Sequence, residues 1–352
     1  QITKDGSVAV IHNGAAIGKV IAGKDSDAND VLSLIFLDGS NIGTVSDSTL
    51  FNGKLKLNFP DGPKDTTPVS IRADLIASSA LPNGTKLSGF VPSMITELRT
   101  GSGSQILNVG SIAGITAVAG AGDDILVATT GNQTLVGGDG NDTYRISGTF
   151  GVDTITETQT GGTGDTLDFS HGTAIPLTID VYSSVAATGP VGVQVVGTAA
   201  AANHIDNAKF IEKVVGGDVT NVYRFHDDWG FIPSTNATSS TTFTVDDTAA
   251  GLMKGTLNFS AVTHNLTFTL NKDGAVEVST TVSKTTSGTT RQYTYKIIAT
   301  GIANIIGGKG INTYKINSNT ALKGNITTGV GGQNALDYSN YTGTAPIVVD
   351  TV

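Results

Sequence analysis

Asp124 and Asp142, 18 residues apart, are the residues of this chain best placed to do chemistry. Each follows alternating glycines, Gly120 and Gly122 before the first and Gly138 and Gly140 before the second. Glycine accepts positive φ and close backbone approach, so such runs curl into turns whose carbonyl oxygens point inward. Each turn leads into a short strand with one central apolar side chain, Leu126 or Tyr144. Cut every nine residues, Ala119 to Arg145 reads AGAGDDILV, ATTGNQTLV, GGDGNDTYR. Two such halves complete one winding of 18 residues and set Asp124 above Asp142. Two carboxylates and the carbonyls of Gly120, Gly122, Gly138 and Gly140 then form a hard-oxygen cage suited to Ca2+, at about 2.3–2.6 Å. The intervening loop has Gln133 in place of the acid, so an ion is expected on one edge only; Asp123 and Asp139 add charge nearby. The plainer reading is glycine-rich turns with solvated acids. Two acids in register, with a degenerate copy between them, favour the cage.

The elements that position these acids follow a pattern. Gly137 to Arg145 satisfies every fixed position of G-G-x-G-x-D-x-U-x, and the nonapeptide starting at Ala119 departs only at its first residue. On these residues the chain resembles the RTX, or haemolysin-type, calcium-binding repeat proteins. A longer repeat extends the resemblance. GGDGNDTYRI at Gly137, GGDVTNVYRF at Gly216 and GGKGINTYKI at Gly307 are three copies of one segment. LDFS at Leu167, LNFS at Leu257 and LDYS at Leu336 are copies of another, each followed by an alternating apolar strand (from Leu177, Leu266 and Ile347). Blocks turning at Gly189-Pro190 and Ser287-Gly288 read as hairpins inserted between copies. With Asp228-Trp229-Gly230, this order is similar to very large secreted bacterial repeat proteins over about residues 100–352.

The fold class expected is all-β: a parallel β-roll or β-solenoid with inserted antiparallel hairpins, preceded by a small β-sandwich-like domain. The divisions are 1–98 for the sandwich, 99–170 for the roll with its calcium site, and 171–260 and 261–352 for two degenerate repeats. Within 1–98, Ser7 to Ile11, Val31 to Leu37 and Lys54 to Phe59 read as strands, and Met94 to Leu98 as a short helix. Asp25, Asp27 and Asp30 read as an exposed acidic turn. In the later copies the acid becomes Asn221 and Asn312, and Lys309 adds an ammonium. Those copies are expected to keep turn and strand without holding the ion. Tyr144, Tyr223 and Tyr314 are expected in the core rather than at a sugar site.

Composition narrows function. The chain has 352 residues, 45 of them glycine, with 14% charged and 38% hydrophobic residues: many short strands and tight turns rather than disorder. A formal charge of −9 leaves no basic patch for nucleic acid. No run of apolar residues is long enough for a membrane-spanning helix. Cysteine is absent, which with the calcium motif fits an extracellular protein held by ions and β-stacking. The chain opens at Gln1 without a signal peptide, as expected of a processed chain or an excerpt of a longer one. His12, His171, His204, His226 and His264 form no HExxH, no GxSxG is present, and His226-Asp227-Asp228 reads as an exposed turn.

Two functional classes remain. One is an extracellular bacterial structural protein, a cell-surface, adhesin, sheath or surface-layer component, non-enzymatic and stiffened by Ca2+. Its expected partners are further copies, other cell-surface components or surface polysaccharide. The other is a secreted polysaccharide-modifying enzyme or hydrolase fragment that uses the roll for secretion and folding. The second would have to place its catalysis in residues 1–98, which hold one histidine and no recognisable motif, and the first is favoured.

Overall fold

In the computed structural model the described residues are 95–185, 189–197, 203–230, 238–251, 253–286, 288–317, 322–330 and 333–342, together with the backbone of six strands before residue 95. They are almost entirely β-strand, with two short 3-10 turns, Ala249–Gly251 and Lys272–Gly274. None of their helices is long and apolar enough to cross a membrane. Two compact units divide the chain: Gln1–His171 with Ala202–Phe210, and Gly172–Ala201 with Ile211–Val352.

In the first unit consecutive strands alternate between two parallel sheets. One contains Val69–Arg72, Gln105–Gly110, Ile125–Ala128, Thr143–Ile146 and Thr166–Asp168. The other contains Leu55–Asp61, Ile95–Ser102, Thr116–Val118, Thr134–Val136, Val152–Thr156 and His204–Ala208. The register is the 18-residue one read from the nonapeptides: Leu126 pairs with Tyr144, and Ile125 with Thr143. Burial follows the period of two, with Leu107, Leu126, Leu135, Tyr144 and Leu167 fully buried. Near the amino end Val8–His12, Ala15–Lys24, Asp30–Phe36 and Asn41–Ser46 form an antiparallel meander.

Two local expectations change here. Residues 95–98 lie in the strand Ile95–Ser102, not in a helix. Leu98 and Thr100 are buried while Arg99 faces out, so alternation decides the conformation where a short segment had no helical period to sustain. The boundary expected at 98/99 falls inside this strand, and Leu55–Asp61 already pairs with it. Met94 and most of the Asp25–Asp30 turn lie outside the described residues, as does the strand expected from Ile347.

The second unit has the same alternation, interrupted by hairpins. Leu177–Val181 pairs antiparallel with Val193–Gly197, and Val276–Thr286 with Thr289–Thr300, the latter turning beside Gly288. The long repeat is spatial as well as sequential. Tyr144 pairs with Leu167, Tyr223 with Leu257 and Tyr314 with Leu336, parallel in every copy. The LDFS-type segment has a local reason too: Asp168, Asn258 and Asp337 each accept the N–H two residues on, at 2.9 Å, which turns the chain out of the strand. Aromatic stacking fills the second unit's interior, with Phe225 on Phe259 at 4.9 Å and Phe268 on Tyr314 at 4.7 Å. Trp229, from the Asp-Trp-Gly turn, is fully buried beside Phe225, Phe259 and Tyr295.

Candidate cation site

The glycines are where they are because successive turns touch there. A Cβ on Gly138 would lie 2.0 Å from the Gly120 carbonyl oxygen, and one on Gly140 would lie 2.2 Å from that of Gly122. Both have φ near +126°, a conformation that favours glycine. Gly120 in turn packs on Gly101, and Gly122 on Gly103. With no side chains between them, the turns that precede each acid stack backbone on backbone.

This stacking puts the acids in a ladder. Asp124 Oδ1 accepts the Gln105 N–H at 2.6 Å, Asp142 Oδ1 accepts the Asp124 N–H at 2.8 Å, and Asp165 Oδ1 accepts the Asp142 N–H at 2.8 Å. Each carboxylate thus satisfies the amide that enters the adjacent parallel strand. An outer ladder runs the other way: Asp123 Oδ1 takes the Asn141 N–H at 2.8 Å, and Asn141 Oδ1 takes that of Thr163 at 3.0 Å. Asp123 therefore braces a turn.

The buried ladder uses one carboxylate oxygen and leaves the other. No N–H or hydroxyl reaches Oδ2 of Asp124 or Asp142, although both residues are at most 1% exposed, and the Glu157 carboxyl that faces Asp142 can bond it only by carrying a proton. Ligand oxygens of Asp142, Glu157 and Asp165 all lie within 4.8 Å of one another, and all three residues are buried. Asp124 stands one step back along the ladder. Glu157 Oε1 accepts the Tyr144 hydroxyl, and Glu157 Oε2 accepts the Thr158 N–H at 3.2 Å. Gly137 marks the centre: a Cβ there would meet Glu157 Oε1 at 2.0 Å, Asp142 Oδ2 at 2.3 Å and the Tyr144 hydroxyl at 2.4 Å.

Such a cluster cannot hold full negative charge without a counter-charge. Burial pushes Glu157 up to about 8, with Asp165 and Asp142 adding repulsion. Asp124 rises to about 7 and Asp165 to about 6, burial again being the largest cause. Asp142 is raised by burial against the hydrogen bonds it receives. Either protons or a cation must sit among these oxygens. The donor set fits a hard divalent ion: three carboxylates, with no nitrogen or sulfur among them.

Of the residues expected at the site, the oxygen cluster contains Asp142 and not Asp124; Glu157, which it also contains, belongs to no motif in the sequence. It lies two residues past the buried Ile155, and its only sequence signal is that alternation points it inward. Asp165 closes a visible Gly-Gly-Thr-Gly-Asp run. Asp153 was hidden by spacing: Gly148, Gly151, Asp153 and Ile155 keep four fixed positions of the nonapeptide, but 11 residues after Asp142. It is buried on the other edge, accepts the Gln133 N–H at 2.8 Å and is pushed up to about 7 by burial. The edge that carries Gln133 is therefore not free of acid.

Two polar groups in the second unit hold structure together. Asp180 is clamped between Arg224 and His226 Nε2, the latter at 2.8 Å, and His226 stacks on Tyr182 at 4.0 Å. Burial raises the Asp180 pKa, but these two partners outweigh it and hold the group below its usual value. In the His226-Asp227-Asp228 turn, Asp227 accepts the Thr263 N–H and hydroxyl at 2.8 and 2.7 Å, and Asp228 takes the Lys284 ammonium. That trio braces the turn that buries Trp229.

No protein-family model, no curated protein and no solved structure matches this chain.

Proposed function

We propose that this chain is an extracellular bacterial structural protein, a cell-surface, adhesin, sheath or surface-layer component, wound as a parallel β-roll and stiffened by Ca2+. The observation that carries the reading is the second oxygen of Asp142, buried, reached by no N–H or hydroxyl, and converging with Glu157 and Asp165. An ion there would be held by these carboxylates and by carbonyls of the stacked glycine turns. It would offset their mutual repulsion and tie successive windings together. Ca2+ accepts the irregular, oxygen-rich surroundings of stacked turns more readily than Mg2+, which demands near-octahedral geometry.

Two features favour a structural role over an enzymatic one. The acids are closed in by the ladder rather than presented to a cleft: Asp142 and Asp165 are 0% exposed and Glu157 6%. In the outermost described strand of the second unit Leu336 is 47% exposed, whereas its counterparts Leu167 and Leu257 are fully buried. This apolar position is suited to another winding, and there we propose that copies associate.

The test is calorimetric titration of metal-stripped protein with CaCl2, followed by negative-stain imaging with and without chelator. Calcium uptake and assemblies that disperse in chelator are expected. No heat of calcium binding, together with turnover of a polysaccharide, would replace this reading with the enzymatic one.

A further inference from the structure

The two units contain the same cradle in different chemical forms. In the second unit a Cβ on Gly216 would meet Asp247 Oδ1 at 2.0 Å, the Tyr223 hydroxyl at 2.3 Å and Asn221 Nδ2 at 2.7 Å. The corresponding atoms at Gly137 are Glu157 Oε1, the Tyr144 hydroxyl and Asp142 Oδ2, at 2.0, 2.4 and 2.3 Å. The acid and the tyrosine keep their places, while a carboxylate oxygen becomes an amide nitrogen.

That exchange reverses the hydrogen bonding. Asn221 Nδ2 donates to the carbonyls of Gly217 at 3.2 Å and Val219 at 2.9 Å, and to Asp247 Oδ1 at 2.6 Å. Asn312 repeats the arrangement with Gly308 at 3.0 Å, Gly310 at 3.1 Å and Asn334 Oδ1 at 2.9 Å. On the other edge of the first unit, Gln133 Nε2 reaches the carbonyls of Thr130 at 3.0 Å and Ile112 at 3.2 Å. At all three positions a side-chain amide supplies protons to inward-facing oxygens. At Asp142 the equivalent atom is an oxygen facing oxygens.

We infer that the cradle is closed in two interchangeable ways, by a cation at Asp142 and by a side-chain amide at Asn221 and Asn312. The first unit therefore gathers three acids that a divalent ion would balance, whereas the second cradle holds one acid, Asp247, whose Oδ1 is already bonded by Asn221 and Tyr223. Asn221→Asp turns the second cradle into a cation site, because its second acid, Asp247, is already in position. The inference rests on the cation reading above for the first unit, and on hydrogen bonding alone for the second.

The single tryptophan permits a test on the full chain. Trp229 is buried in the second unit, so its fluorescence follows that unit, while far-ultraviolet circular dichroism follows both. Four proteins are melted at pH 8 in metal-stripped buffer and again with CaCl2: the parent, Asp142→Asn, Asp142→Ala and Asn221→Asp. In the parent, calcium at 100 times its Kd should raise the dichroism transition by about 5–10 °C and leave the tryptophan transition in place. Asp142→Asn should lose the calcium shift yet melt at or above the parent in stripped buffer, while Asp142→Ala melts below both. Asn221→Asp should lower the tryptophan transition in stripped buffer and make it respond to calcium. If Asp142→Asn melts as low as Asp142→Ala, or if Asn221→Asp leaves the tryptophan transition unmoved in both buffers, the interchange is overturned. A parent that ignores calcium while Asp142→Asn melts above it refutes the cation at Asp142 alone and upholds the amide closure.

Discussion

Raising the pH in metal-stripped buffer should destabilise this protein, the reverse of the response of most acid-rich proteins. Ordinary paired carboxylates lose their stabilising contacts as pH falls. Here Asp124 and Asp153 are pushed from 3.8 to about 7, and Glu157 from 4.5 to about 8, chiefly by burial. The unfolded chain gives up these protons near pH 4 and the folded chain keeps them, so the folded state binds more protons in between. Their contribution is complete below about pH 4 and is lost as pH rises through 6–8. Each pH unit of displacement corresponds to about 1.36 kcal/mol, or about 4 kcal/mol for Asp153 alone. Coupling among Asp142, Glu157 and Asp165 keeps the sum from being additive, and a total of about 4–8 kcal/mol is a fair expectation. Against a domain stability of about 5–15 kcal/mol, that decides whether the first unit stays folded at pH 8. The assay is urea denaturation followed by circular dichroism in metal-stripped buffer at pH 5, 6.5 and 8, then with CaCl2. Stability should fall across the series without calcium, and calcium should restore at pH 8 the part due to the Asp142, Glu157 and Asp165 cluster, leaving that of Asp153. Metal-free stability that is level or rises from pH 5 to 8 would mean that folding does not raise the proton affinity of these buried acids.

Further outcomes are expected. Gly138→Ala should cost about 3 kcal/mol or more, because its Cβ would lie 2.0 Å from the Gly120 oxygen at φ +126°; Gly148→Ala, with nothing within 4 Å and φ +67°, should cost only about 1 kcal/mol in the same denaturation series. Tyr144→Phe should cost about 1–2 kcal/mol by removing the hydroxyl donor to Glu157, read as a lower melting temperature. Trp229→Ala should cost the second unit about 3–5 kcal/mol, measured by chemical denaturation, since the ring is fully buried among aromatics. Asp180→Asn should remove stability that is present above about pH 4 and lost below it; the half-exposed Arg224 limits the effect to about 1 kcal/mol, and a mutant curve parallel to the parent's from pH 3 to 7 would count against it.

Much of the local design was legible because it is periodic. The 18-residue register of Asp124 and Asp142 appears in space as the Leu126–Tyr144 pair, and the long repeat appears as tyrosine beside leucine in three copies. Both turns expected of the inserted blocks join antiparallel strands. What escaped is what periodicity does not encode. Asp153 fell out of phase through two extra residues, and Glu157 belongs to no motif; it meets Asp142 because a strand on the other sheet delivers it inward. A helix is expected over Met94–Leu98 because five residues carry too little pattern to separate the two periods. That the later asparagines are uncharged is plain in the sequence, but that the Asn221 nitrogen takes the place of Asp142 Oδ2 emerges only from the distances around Gly137 and Gly216.

The inner aspartate links have a direction. Gln105 is capped by Asp124, Asp124 by Asp142, and Asp142 by Asp165, so every amide waits for a carboxylate that comes later in the polypeptide. A chain threaded outward amino end first would leave each layer ajar until its successor emerged, and the last layer would latch all those before it. Trimming from the carboxyl end should therefore loosen the stack progressively backward, while trimming from the amino end should leave the surviving latches shut.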